Sequence, residues 1–168
     1  MRDNIKLDFS VEREKASRST CINEVPAYML GQSIMLGSVE FCIGDEDFGN
    51  EDEQILDFSI DAVKMLQKVA FLRGSARGCF LEYDVDLIFS MNEDRANDII
   101  VKLGTASKVL REAHVPMSDL MRSLGEFHFR VVTEALRRHS DLAKHEGFLD
   151  FCPFAKDIIK NFNSALKP

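Results

Sequence analysis

Carboxylates are the residues of this chain best suited to chemistry, and they are unevenly placed. Asp45, Glu46 and Asp47 precede Phe48, Gly49 and Asn50, and Glu51, Asp52 and Glu53 follow at once. A calcium loop beginning at Asp45 needs glycine at its sixth position for the sharp turn and a bidentate glutamate at its twelfth; those positions hold Asn50 and Leu56. The motif therefore fails, and the expectation for residues 44 to 54 is a hydrated acidic loop. A second set, Glu82, Asp84 and Asp86, alternates with Leu81, Tyr83, Val85 and Leu87. On a strand these three carboxylates project from one face about 7 Å apart, so the face is either solvent-exposed or answered by basic groups. Paired carboxylates hydrolyse glycosides and phosphodiesters, but no histidine, lysine or aromatic platform is placed to complete such a site.

The other reactive residues point to no catalytic site. His114, His128, His139 and His145 include no pair at i and i+4 on one helix face, the spacing by which two imidazoles share a metal. His128 falls on an apolar helical stripe and is expected to be a hydrogen-bonded, half-buried residue. Cys21, Cys42, Cys79 and Cys152 lie far apart without a Cys-x-x-Cys, which predicts buried free thiols. No Gly-x-Ser-x-Gly elbow is present, and the Arg73 to Gly78 run lacks the terminal Lys-Ser/Thr of a phosphate loop, so it is read as a plain helix-to-strand connection. No catalytic residue, metal ligand or cofactor is expected.

Elements follow from periodicity. Ile5, Leu7, Phe9 and Val11 alternate with polar residues, which predicts a strand over residues 4 to 12. Residues 34 to 43 form a second extended segment, with apolar side chains changing phase at Gly37, the mark of a bulge or tight turn. Ser59 as N-cap followed by Ile60, Val63, Leu66 and Val69 predicts a helix over residues 60 to 72. Residues 79 to 89 alternate strictly and read as one strand with a single packed face. Ile99, Val101 and Leu103 fit a strand, while Ala96, Ile99, Ile100 and Leu103 fit a helical stripe, and period alone does not decide. Residues 106 to 113 fit a further strand. After Pro116, Leu120, Met121, Leu124, Phe127, Val131 and Ala135 recur at helical spacing, predicting the longest element, about 20 residues. Gly147 is read as the stop of a short turn, with a last helix after Pro153. Grouped strands and helices predict one α+β domain over residues 1 to 168: an antiparallel sheet with helices packed on one face and a long helix in the C-terminal half.

With 28 acidic against 21 basic residues the net charge over 168 residues is −7, and 45% hydrophobic and 29% charged residues exclude disorder, collagen and a simple coiled coil. The charge is regional. Between Ser19 and Val63 there is no Lys or Arg, while ten carboxylates lie there. Such a lobe repels phosphate backbones, which argues against direct nucleic-acid binding, and speeds encounter with a cationic protein. The charged start Met1-Arg2-Asp3-Asn4, with no apolar stretch of signal-peptide or membrane-spanning length, predicts a cytoplasmic protein with no membrane association.

The run Leu36 to Gly44, the helix from Ile60 to Leu72 and the run Phe80 to Phe89 together resemble the build of small bacterial immunity proteins, which neutralise toxins of polymorphic or contact-dependent systems. The resemblance spans residues 34 to 140 and lies in element order and acidity. It implies a non-enzymatic cytoplasmic inhibitor whose acidic surface occupies a basic toxin site, many such toxins being nucleases. The expected partner-binding set is Asp45, Glu46, Asp47, Glu51 and Asp52, with Phe48 as apolar anchor, together with the Glu82, Asp84, Asp86 face. Two alternatives stand beside it: a small hydrolase whose carboxylates hold a divalent metal, and a structural or regulatory homodimer built on the long helix.

Overall fold

The computed structural model describes residues 5–14, 21–79 and 85–165. In chain order the elements are β1 (Ile5–Arg13), two 3-10 turns (Ile22–Glu24 and Ala27–Met29), α1 (Leu30–Ser33), β2 (Leu36–Ile43), β3 (Glu46–Asp47), β4 (Asn50–Gln54) and α2 (Ile55–Leu72). Then come β5 (Ser75–Cys79), β6 (Asp86–Met91), β7 (Asp98–Gly104), β8 (Val109–Pro116), α3 (Met117–Arg138), a 3-10 turn (Ser140–Lys144), α4 (Glu146–Phe151) and α5 (Ala155–Ala165). The fold is α+β, and its strands form two antiparallel four-stranded sheets rather than one.

In the first sheet β2 pairs with β1 on one side and with β3 and β4 on the other. Leu7 lies opposite Phe41 and Phe9 opposite Val39, as the alternation in β1 requires. The phase change at Gly37 is a bulge: the register slips between Val11 and Arg13 on one neighbour and between Gly37 and Val39 on the other. Gly37 is needed there, because a Cβ would stand 1.9 Å from the Ser10 carbonyl oxygen. The second sheet is a meander, β5-β6-β7-β8. Residues 98–104 are therefore strand, because Ile99, Val101 and Leu103 face the core with a period of two and β6 and β8 pair on either side.

Three expectations are corrected by tertiary pairing. Residues 79 to 89 are not one strand: Cys79 ends β5 and lies opposite Asp86, the first residue of the antiparallel β6, and Glu82 and Asp84 lie outside the described residues. The acidic segment 44–54 is not open loop but turns into β3 and β4, which complete the ladder of β2. Helix α2 begins at Ile55 instead of Ile60, and Ser59 is buried inside it rather than capping it. The helix stops where Arg73 takes left-handed geometry (φ 55°) and donates its N–H to Val69 O.

One apolar cluster joins α2 and α3 to the inner faces of both sheets. Phe127 of α3 meets Phe9 of β1 and Phe58 of α2 edge-on, at ring-centroid distances of 5.8 and 6.0 Å. The apolar stripe of α3 is buried as its spacing predicts, except Met121, which is 52% exposed. Gly147 does not end a turn; it lies within α4, whose first turn is capped by His145, its Nδ1 accepting from Phe148 N–H and its Nε2 donating to Val25 O. Among the described residues no helix is long and apolar enough to cross a membrane.

Candidate functional site

The β2–β4 hairpin displays Asp45, Glu46, Asp47 and Glu51 to solvent. Asp47 is partly committed, since its Oδ1 accepts from Gly49 N–H at 2.8 Å and so closes the turn. Asp45, Glu46 and Glu51 make no ion pair among the described residues. Asp52 belongs to β4; its side chain lies outside the described residues. Phe48 is a correction: it is fully buried, its N–H donating to Phe41 O at 2.6 Å and its ring 5.6 Å from that of Phe41. An apolar residue amid carboxylates is here the plug that ties the hairpin to the core, and so offers no surface for a partner. Asp86 is answered by Arg77 at 3.1 Å across the β5–β6 pair.

The remaining acids of the lysine-free segment gather elsewhere. Glu53, Asp57 and Asp61 line a cleft of about 180 Å³ with Gln32 and Gln54, and no basic residue lines it among the described residues. Glu53 is buried and held in place, accepting from Asn50 Nδ2 and Gln54 N–H, each at 3.0 Å. Asp57 lies against α1, where Gly31 leaves room: a Cβ at Gly31 would fall 2.0 Å from Asp57 Cγ. Burial first, then the charges of Asp61 and Glu53, push the Asp57 carboxyl up to about 6. Burial also raises Asp61, and Lys64 offsets this in part. Sequence reasoning did not find this cleft, because it is assembled from α1, β4, α2 and the β5–β6 pair. It also passed over Tyr28, which is 78% exposed one helical turn before Gln32.

A buried polar cluster lies between α2, α3 and the residues after α4. His128 Nε2 donates to Pro153 O at 2.9 Å, which leaves Nδ1 to accept from Ser59 Oγ at 3.2 Å. Leu56 O, 2.9 Å from the same hydroxyl, competes for its single proton. Cys152 Sγ is 3.7 Å from His128 Nε2. Burial lowers His128 and raises the Cys152 thiol to about 12, so the thiol is held protonated and the imidazole neutral. Serine, histidine and cysteine meet here as a structural bridge: all three are buried, and the histidine is engaged by a carbonyl. The expectation of buried thiols holds for Cys152; Cys21 is exposed and Cys42 half-buried. Among the described residues no three His, Cys, Asp or Glu side chains are grouped to hold a metal ion.

On the other side of α2 a groove of about 740 Å³ runs between α2 and α3, floored by Leu66, Ala70, Leu124 and Gly125. Phe71, 87% exposed, and Phe154, 58% exposed, stand at its edges. Asp57 and Asp61 are offset from Val63, Leu66 and Ala70 by roughly half a turn of helix, so cleft and groove lie on opposite sides of α2.

Comparison with protein-family models, curated proteins and solved structures returns no match. The geometry of the chain itself therefore carries the functional argument.

Proposed function

We propose that this chain is a non-enzymatic protein-binding module that engages a cationic partner, in the manner of an immunity protein neutralising a basic toxin. The observation that carries this reading is a cleft in which Glu53, Asp57 and Asp61 converge, with no basic lining residue among the described residues. A lysine or arginine of the partner entering the cleft meets Asp57 and Asp61, and Tyr28, exposed on the turn before α1, offers a rigid aromatic contact of the kind that dominates interface energetics. Asp45, Glu46, Asp47 and Glu51 on the hairpin extend the negative field outward and act on encounter more than on affinity. Asp52, Glu82, Asp84 and Asp86 add negative charge to the same chain, Asp86 in its pair with Arg77. This chemistry suits a cytoplasmic inhibitor that covers a nuclease-like basic surface.

The test uses the protein encoded immediately upstream, in a catalytically inactive form, as the immobilised partner. Reversing Asp45, Glu46 and Glu51 to lysine is expected to slow association about tenfold and to flatten its salt dependence, with little change in dissociation. Tyr28→Ala is expected to speed dissociation by about tenfold or more. Absence of binding, or association indifferent to the reversed charges, overturns the reading.

A further inference from the structure

The cleft lined by α1, β4 and α2 combines apolar and polar lining, and the combination restricts which cation it can take. At about 180 Å³ it is well below the roughly 300 Å³ at which pockets for free small-molecule ligands begin, so its volume suits one side chain. Phe58, Ala62, Met65 and Leu87 supply the apolar lining. The polar lining comes from Gln32 of α1, Gln54 at the end of β4, and Asp57 and Asp61 one turn apart on α2. None of these four side chains makes a hydrogen bond or an ion pair among the described residues. Glu53 differs: its two oxygens already accept from Asn50 and from Gln54 N–H, so it contributes charge and no vacant acceptor geometry is needed from it. Lys64 is near enough to offset both aspartates in part, yet it forms no ion pair with either, and its ammonium stands 5.4 Å from the Phe151 ring centroid. The acceptors of Asp57 and Asp61 are therefore open to a second cation.

We infer that the cleft receives an arginine side chain of the partner in preference to a lysine, an inference that rests on the reading of the cleft as a cation site. Residues four apart on a helix hold their Cβ atoms about 5 to 6 Å from each other, so Asp57 and Asp61 present acceptors across a span. A guanidinium carries five N–H donors in one plane and can bridge two carboxylates while still facing an amide oxygen of Gln32 or Gln54. An ammonium has three donors on a single atom and meets one carboxylate closely at the expense of the other. The apolar lining acts in the same direction. A guanidinium is more weakly hydrated than an ammonium and loses less on leaving water beside Phe58, Met65 and Leu87, and the methylenes of the arginine stem pack against the same side chains. Gly31 matters to this arrangement because it leaves room for the Asp57 carboxyl at the foot of α1.

The test is a nuclear magnetic resonance titration of the full chain near pH 8, where Asp57 is ionised, with n-butylguanidinium and n-pentylammonium chlorides. The two salts carry the two head groups on similar stems at the same chloride concentration. The amide signals of Gln32, Asp57 and Asp61 are expected to shift together and to saturate at one cation per chain, with butylguanidinium bound at least about fivefold tighter than pentylammonium. Asp57→Asn is expected to weaken butylguanidinium by about tenfold and to bring the two cations within about twofold of each other. Asp61→Asn, at an exposed position, is expected to weaken it by about threefold or more and decides the matter if Asp57→Asn does not fold. Binding that survives both substitutions overturns the inference. Equal affinity for the two cations overturns the arginine preference and leaves the cleft standing as a cation site. No saturable shift with either cation overturns the cleft as a cation site and the inference with it.

Discussion

Replacing Asp57 by asparagine is expected to stabilise the protein, and the gain should depend on pH in a defined sense. The carboxyl is held at about 6 in the folded chain against an ordinary 3.8, through burial and the charges of Asp61 and Glu53. A group that binds its proton more tightly when folded makes the native state lose stability as pH rises from about 4 to about 6, and the loss is complete above that window. At about 1.4 kcal/mol per pH unit, the full penalty is about 3 kcal/mol. Asparagine keeps the shape beside Gly31 and cannot ionise, so Asp57→Asn should gain about 1 to 3 kcal/mol at pH 8, shrinking toward zero near pH 4. For a chain of this size that is a melting-temperature rise of roughly 3 to 10 °C. His128, lowered by burial, acts in the opposite sense: its unfolded form takes up a proton below about pH 6.5 and so weakens the fold in acid. That contribution is common to both proteins and cancels in the difference. Urea denaturation of both chains across the pH series is the assay. A variant no more stable than the parent at pH 8, or one offset equally at pH 4 and pH 8, refutes the assignment of strain to this carboxylate.

Two further outcomes follow from the packing. Phe48→Ala should cost about 3 to 5 kcal/mol by chemical denaturation, the price of emptying a fully buried aromatic site; lost partner binding with stability intact would return Phe48 to the surface role first expected of it. Gly37→Ala should destabilise by about 2 kcal/mol or more in thermal melts, because its Cβ meets the backbone of β1, which has no rotamer by which to yield.

Much of the fold was legible because the buried faces repeat. The two-residue period of β1 and the three-and-four spacing of α3 each have a single solution, and both appear within a residue or two of where they were expected. The bulge at Gly37 was legible for the same reason: a change of phase has few causes. What local composition misjudged was settled by partners distant in sequence. Phe48 reads as an isolated apolar residue in an acidic loop until Phe41 is placed beside it. Ser59 reads as an N-cap until His128, 69 residues away, accepts from its hydroxyl inside the helix. The acidic segment divides for a similar reason. Asp45, Glu46 and Asp47 stay at a hairpin tip, while Asp57 and Asp61 follow the helix into a cleft, so one run of charge along the chain becomes two surfaces in space. Gly125 carried no signal, because the space above a helical glycine depends on a second helix that one segment does not specify.

Helix α2 separates two unlike surfaces. Asp57 and Asp61 face Gln32 and the β5–β6 pair, and Lys64 stands on that same side of the helix, near enough for its charge to offset both carboxyls in part. Val63, Leu66 and Ala70, roughly half a turn away, face the apolar groove beside α3. One helix therefore supplies both the carboxylates of the cleft and the aliphatic wall of the groove, because charged and apolar residues recur on opposite sides of a 3.6-residue turn.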